Sequence, residues 1–145
     1  MAIDKELLSK KLSFLKEQIS KIDNMNFSET ELEENKDIQD LLTFRLQQAV
    51  ETSIDISTHI IASLNLKRQE TSRDAFSLLG QEKIIGKDLA GKMGQAADFR
   101  NRVVHGYNNF DFSILFKDYK EDLGDLKNFG VQILAFLEKN TIKSK

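Results

Sequence analysis

Cysteine and proline are both absent from this chain of 145 residues. Without cysteine, disulfide scaffolds, thiol catalysis and thiolate zinc sites are excluded. With no proline and only 7 glycines, few residues interrupt helices, which favours long helices over many-turned β folds. No apolar run is long enough to cross a bilayer, and the first residues lack the apolar core of a signal peptide. These absences predict a soluble, cytoplasmic protein.

Charge is also limited, because the net charge is only −2 at pH 7. A protein that binds nucleic acid over its whole surface would be much more basic. The charge is unevenly spread: residues 67–105 carry eight basic and five acidic side chains, whereas residues 1–66 carry seven basic and twelve acidic ones. Any contact with RNA is therefore expected in the middle third of the chain, although ordinary surface variation gives the same pattern.

Apolar residues recur at helical spacing in five segments, and no segment alternates convincingly as a strand does. The predicted helices cover residues 3–22, residues 31 or 37 to 66, residues 72–79, residues 87–105 and residues 112–139. Thr71 or Ser72 is expected to cap the third helix, and Asp111 the fifth. The pattern predicts one all-α domain over residues 1–145, an up-and-down four-helix bundle with one additional short helix.

The sequence also supports three predictions about the ends, connections and packing of these helices. Residues 23–34 are polar and acidic and are predicted as a loop, although Ser28 and Glu31 have the spacing of a helix capping box. Gly80 follows the third helix and is expected to end it. Gly130 replaces a large side chain in the apolar stripe of the fifth helix, so a neighbouring helix is expected to come close there.

The most informative segment is residues 100–107, which reads Arg-Asn-Arg-Val-Val-His-Gly-Tyr. It places a guanidinium, an imidazole and a phenol within eight residues, where a predicted helix ends at Gly106. A cation beside a titratable imidazole can bind or cut RNA without a metal. We therefore treat this segment as the candidate site.

Arg100 lies near the middle of the apolar face of the fourth helix when residues are placed about 100° apart. That face consists of Leu89, Met93, Ala96, Phe99, Val103 and Val104. A guanidinium there is costly unless it is paired, reaches solvent or faces a cavity. Two readings stay open: a purely structural arginine, or an arginine held at a cleft or dimer interface to receive an anion.

His105 lies about 140° from Arg100 on the same helix, so one straight helix does not easily bring both to one phosphate. Either the helix loosens at its end, or arginine and histidine from two copies meet across a two-fold axis. Asn101 shares the face of His105, where it could orient the imidazole or bind a phosphate oxygen. The helix dipole favours a charged imidazole in the last turn, although a lone histidine is more often structural or merely exposed.

Glu51, Asp55 and His59 follow one another at four-residue intervals in the second helix. One of the two carboxylates is expected to support Arg100 by pairing with it, and an exposed Asp–His pair is the alternative. Asp55, His59 and His105 form a conceivable metal site, but two histidines without a tight ligand motif argue against it. No metal or cofactor is therefore expected.

Arg100, His105 and Tyr107, at the end of a late helix in an all-α domain, resemble the motif of the HEPN superfamily. Within it, the chain resembles the HepT-like ribonuclease toxins of HepT–MntA toxin–antitoxin pairs. Residues 72–76 and 99–107 both match this family, and the resemblance covers nearly the whole chain. It implies a homodimer in which arginine and histidine from both copies line one cleft.

The resemblance also implies a reaction. These enzymes cut RNA without a metal, by attack of the adjacent ribose hydroxyl, and leave a cyclic phosphate. On this chain, His105 would act in proton transfer, Arg100 would stabilise the charge on the phosphorane, and Asn101 would assist by orientation.

Regulation is implied as well. In this family a nucleotidyltransferase antitoxin attaches AMP to the motif tyrosine, here Tyr107, and the added bulk and negative charge block RNA. Arg102 and Arg73 are expected to contact RNA or the antitoxin. A nonenzymatic alternative uses Arg100 and His105 only as phosphate ligands, in a protein that presents nucleotide or substrate to a separate nucleotidyltransferase. A plain structural dimer would leave Tyr107 unexplained.

Overall fold

The computed structural model describes the backbone of residues 3–106 and 111–143, and the side chains of residues 3–98 and 111–140. This part of the chain contains no strand and forms six helices. They are α1 (Lys5–Asp23), α2 (Glu29–Glu34), α3 (Lys36–Ser63), α4 (Ser72–Gln81), α5 (Lys87–Gly106) and α6 (Phe112–Lys143). The all-α prediction is confirmed. No helix in the described ranges has the length and apolar character needed to span a membrane.

Helix α2 occupies residues 29–34, so the loop prediction was wrong there, although residue 31, one of the two predicted starts of the second helix, lies within it. The capping box is present: the Glu31 N–H donates to Ser28 Oγ at 3.1 Å, and the Ser28 N–H donates to Glu31 Oε1 at 3.0 Å. Asn35 then ends α2 and caps α3, because its Oδ1 accepts from the N–H groups of Asp37 and Ile38. The predicted second helix is therefore divided at Asn35.

The long helices α1, α3, α5 and α6 form the predicted bundle, and neighbours in it run antiparallel. Asp23 of α1 pairs with Lys127 of α6 at 2.7 Å, while Leu15 lies beside Gly130. The shared core is continuous and apolar. Its largest fully buried side chains are Phe76, Phe129, Leu8, Leu15, Ile22, Leu32, Leu42, Leu46, Ile56, Ile60, Leu79 and Met93.

Gly130 faces α1, but the approach there is an ordinary one. A Cβ added at this glycine would lie 3.8 Å from Leu15 Cδ2, which is normal van der Waals contact. The expected close approach occurs elsewhere, between α4 and α5. A Cβ on Gly80 would lie only 2.9 Å from Ala90 Cβ.

Gly80 does not end α4 as predicted, because the helix continues to Gln81 and no described glycine has a positive φ. The left-handed residue in the turn that follows is Lys83, with φ 60°. Gly80 is buried inside the helix, where the absence of a side chain lets α5 pack against it. The glycine therefore serves helix packing rather than helix termination.

Gly80→Ala is expected to destabilise the fold by about 1–3 kcal/mol, because the new methyl group would overlap Ala90. Gly91→Ala is the matched control, since Gly91 is exposed in α5 and a Cβ there meets no described atom within 4 Å. It is expected to stabilise the helix by about 0.5–1 kcal/mol. Urea unfolding of both variants measures the difference, and equal free energies of unfolding would contradict the close approach.

Candidate active site

Helix α5 carries the candidate motif, and its described side chains confirm the predicted apolar face. Leu89, Met93 and Ala96 are all buried, as are Ala90 and Ala97. The helix begins at Lys87 and ends at Gly106, close to the bounds that the sequence predicted. Residues 100–106 therefore form the last turns of a helix whose earlier turns lie in the core.

The first half of α5 is fixed to α6 at two points. Gln132 Oε1 accepts a hydrogen bond at 2.7 Å from the N–H of Gly86, directly before the helix begins. Lys92 approaches Asp125 at 3.9 Å, and the Asp125 side chain is only 15% exposed. Burial raises the pKa of Asp125 above its usual value, while the charge of Lys92 acts in the opposite direction. These contacts fix the register of α5 relative to α6.

The backbone register of α5 separates the two central positions of the motif. Counting back by helical turns, position 100 falls on the same face as buried Met93 and Ala96. Position 105 falls on the outer face, about 20° from Asp98, which is exposed. The side chains of residues 99–106, including Asn101 and Arg102, and the whole of residues 107–110 lie outside the described residues.

Arg73 of α4 lies on this outer face of α5. Its Nη2 is 3.3 Å from Asp98 Oδ2, and both side chains are about half exposed, at 47% and 54%. Its stem crosses α5 at Gly94, where an added Cβ would lie 3.0 Å from Arg73 Cγ. The structure therefore places Arg73 two helical turns before position 105. Whether it contacts RNA or a partner protein stays a prediction.

Asp55, one of the two carboxylates expected to support Arg100, contacts two other residues. It pairs closely with Lys11 of α1, and its Oδ1 lies 3.7 Å from His59 Nε2. Glu51 lies one turn earlier on α3 and is partly buried. Pairing of either carboxylate with Arg100 stays a prediction. Within the described residues, no group of three or more potential metal ligands comes together.

The start of α6 follows the motif in the sequence. Asp111 caps this helix as predicted: its Oδ1 accepts from the N–H of Ser113 at 3.0 Å and from the Ser113 hydroxyl at 2.7 Å. These hydrogen bonds lower the pKa of Asp111 below its usual value. Nearby, Tyr119 is packed against Phe27 and Phe116 and is only 6% exposed. Burial, with a smaller effect from Asp23, raises the pKa of this tyrosine.

Three contact residues were not predicted from the sequence: Gly94 and Asp98, which adjoin Arg73, and Lys11, which pairs with Asp55. Asp98 precedes His105 by seven residues, and this spacing places both positions on one helix face. The sequence could therefore have shown that Asp98 lies on the same face as His105. The partners Arg73 and Lys11 come from other helices, and no local spacing indicates them.

A sequence model of the ribonuclease HepT-like family matches residues 15–133. The chain belongs to this family. The match begins inside α1 and ends inside α6, so it includes α5 and the whole candidate motif. The fold and the family prediction made from residues 100–107 therefore agree with the comparison.

Two curated HepT-like nucleases are similar in sequence. The mRNA nuclease HepT of Shewanella oneidensis is 27% identical over 124 residues, which cover 86% of this chain and 93% of that protein. The tRNA nuclease HepT of Aphanizomenon flos-aquae is 36% identical over 74 residues, or half of each chain. Their names give different RNA classes, so family membership does not fix the RNA target.

A solved structure is similar over the same length. It is the tri-AMPylated Shewanella oneidensis HEPN toxin in complex with an MNT antitoxin. Its fold matches with a TM-score of 0.84 at 27% identity, covering 90% of this chain and 98% of the toxin. The HEPN-like fold predicted from the sequence is thereby confirmed.

Proposed function

We propose that this chain is the toxin of a toxin–antitoxin pair: a metal-independent endoribonuclease that its nucleotidyltransferase partner silences by AMPylation. The proposal rests on α5, a helix anchored to α6 whose last turns carry the arginine and histidine of the motif, with Tyr107 as the next residue in the sequence. The nuclease names of the HepT relatives and the antitoxin complex of the Shewanella toxin support it. The single continuous core supports one domain over residues 1–145.

Arg100, Asn101 and His105 would carry out the cleavage. The ribose 2′-hydroxyl attacks the adjacent phosphorus, and the bond from phosphorus to the 5′-oxygen breaks. The products are a 2′,3′-cyclic phosphate and a free 5′-hydroxyl. His105 moves a proton between these oxygens, Arg100 stabilises the charge that builds on the phosphorane, and Asn101 orients the imidazole.

The site would be built from two copies of the chain. The register of α5 places position 100 on the core-facing side and position 105 on the outer face. One straight helix cannot easily direct both side chains at one phosphate. A two-fold axis beside the end of α5 would let arginine from one copy meet histidine from the other.

RNA would reach this cleft along the most basic part of the chain. Residues 67–105 have a net positive charge, whereas the chain as a whole is slightly acidic. Arg73 and Arg102 would contact the RNA backbone or the antitoxin. Glu51 or Asp55 would support Arg100 by pairing with it.

Tyr107 would be the residue that receives AMP. The chain has only two tyrosines, and the other one, Tyr119, is only 6% exposed and packs against the rings of Phe27 and Phe116. The tri-AMPylated state of the Shewanella toxin supports AMPylation as the modification. Each added AMP brings a negative phosphate beside the cleft, so RNA would be excluded by bulk and by repulsion.

His105→Ala is expected to lower the rate of RNA cleavage by at least about 10²-fold, because the proton transfer loses its catalyst. Removing divalent metal with EDTA is expected to leave the rate unchanged. Purified chain is incubated with labelled single-stranded RNA, and the fragments are tested for a cyclic phosphate end. His59→Ala is the control, because His59 lies on α3 and pairs with Asp55. Undiminished cleavage by the His105 variant, or cleavage that EDTA stops, contradicts the proposal.

Tyr107→Phe is expected to abolish AMPylation by the cognate nucleotidyltransferase, whereas Tyr119→Phe is expected to leave it intact. Each variant removes one hydroxyl oxygen, from the motif at Tyr107 or from the aromatic cluster that contains Tyr119. Intact-mass spectrometry after incubation with the enzyme and ATP counts the added AMP groups. AMP found on the Tyr107→Phe chain would place the modification elsewhere.

A further inference from the structure

We propose that Arg73 forms a second phosphate subsite, which holds a phosphodiester of the RNA on the outer face of α5. The inference rests on the proposed nuclease function and assigns Arg73 one of the two partners left open there, the RNA backbone rather than the antitoxin. Arg73 would be a substrate-positioning residue, whereas Arg100 and His105 act at the scissile phosphate.

The first observation is the path of the Arg73 side chain. Gly94 provides the space for it: an added Cβ would lie 3.0 Å from Arg73 Cγ and 3.3 Å from Nη1. The stem therefore lies flat on α5, and the guanidinium is kept close to the helix. An arginine held this way loses less conformational freedom when it binds an anion than one extended into water.

The second observation is the ion pair with Asp98. Among the described residues, Asp98 is the one ion-pair partner that Arg73 has, with Nη2 at 3.3 Å from Oδ2. Both side chains are about half exposed, and exposed pairs of this kind are weak. A guanidinium has five N–H donors, so a phosphate can bind the remaining edge or replace the carboxylate.

The third observation is the alignment of this pair with the motif. Asp98 precedes position 105 by seven residues, so the two share a face and are separated by about 10 Å along the axis. A separation of this size is within the span of a few nucleotides of a single strand. A single strand lying along α5 would therefore place one phosphate at His105 and another at Arg73.

The test measures binding of a short single-stranded 2′-O-methyl RNA, which lacks the attacking hydroxyl and so is not cut. Arg73→Gln keeps the stem over Gly94 and removes the charge. It is expected to weaken binding about three- to tenfold and to reduce the slope of log K against log salt by about 0.7. Arg73→Lys keeps the charge and is expected to keep the slope.

Asp98→Asn is the matched control, because it breaks the same ion pair from the other side. If Arg73 merely joined α4 to α5, both variants would affect RNA binding equally. The subsite predicts instead that Asp98→Asn binds RNA as tightly as the unaltered chain, or more tightly, since a competing carboxylate is gone. Thermal unfolding of the two variants should change by similar amounts.

Three results overturn the subsite: unchanged affinity in Arg73→Gln, weaker binding with an unchanged salt slope, or equal losses in Arg73→Gln and Asp98→Asn. None of them depends on catalysis, because the probe is not cut. A failure of the nuclease proposal is detected separately. In that case RNA cleavage persists in His105→Ala, while RNA binding by the Arg73 and Asp98 variants still follows the pattern predicted for the subsite.

Discussion

The close packing of α4 against α5 determines where the candidate site lies. At Gly80 the two helices are so close that an added methyl group would meet Ala90 at 2.9 Å. Phe76 and Leu79 of α4 are fully buried in the core that α5 shares. Because the helices run antiparallel, the first turn of α4 then lies beside the later turns of α5, where Arg73 meets Asp98. The close contact between Gly80 and Ala90 therefore determines how Arg73 of α4 lies relative to Asp98 of α5.

Helix α6 holds the opposite side of α5. Gln132 accepts a hydrogen bond from the N–H of Gly86 before the helix begins, and the pair of Lys92 and Asp125 lies six residues further on. Both contacts lie at the start of α5, at least eight residues before the motif at residues 100–107. The contacts that anchor α5 to α6 are thereby separated from the end of the helix that carries the motif.

The sequence predicted the long helices because each repeats an apolar stripe over several turns. It missed α2 because six residues give less than two turns, and only Leu32 is buried there. The capping box at Ser28 was a stronger signal than the composition of the segment. Gly80 was misread because a glycine at a helix end and a glycine at a helix crossing look alike in sequence. Only the position of Ala90 distinguishes them.

In the candidate site, too, some residues could be predicted from the sequence and others could not. Arg100, His105 and Tyr107 were readable because they lie within one helical segment and its next residue. The partners of Arg73 and Asp55 were not, because Asp98 and Lys11 are distant in sequence from the residues that they contact. Local spacing reports which residues share a helix face. Contacts between helices depend on how the whole bundle packs, so they could not be predicted from the spacing of residues in one sequence.

The central claim is that arginine and histidine from two copies of the chain act on one phosphodiester. Mixing Arg100→Ala protomers with His105→Ala protomers tests it most directly, because a heterodimer keeps one intact arginine and one intact histidine on different chains. After the two variants are unfolded and refolded together, the mixture should cleave RNA faster than either variant alone. A mixture no more active than its components, although heterodimers form, would contradict a site shared between copies.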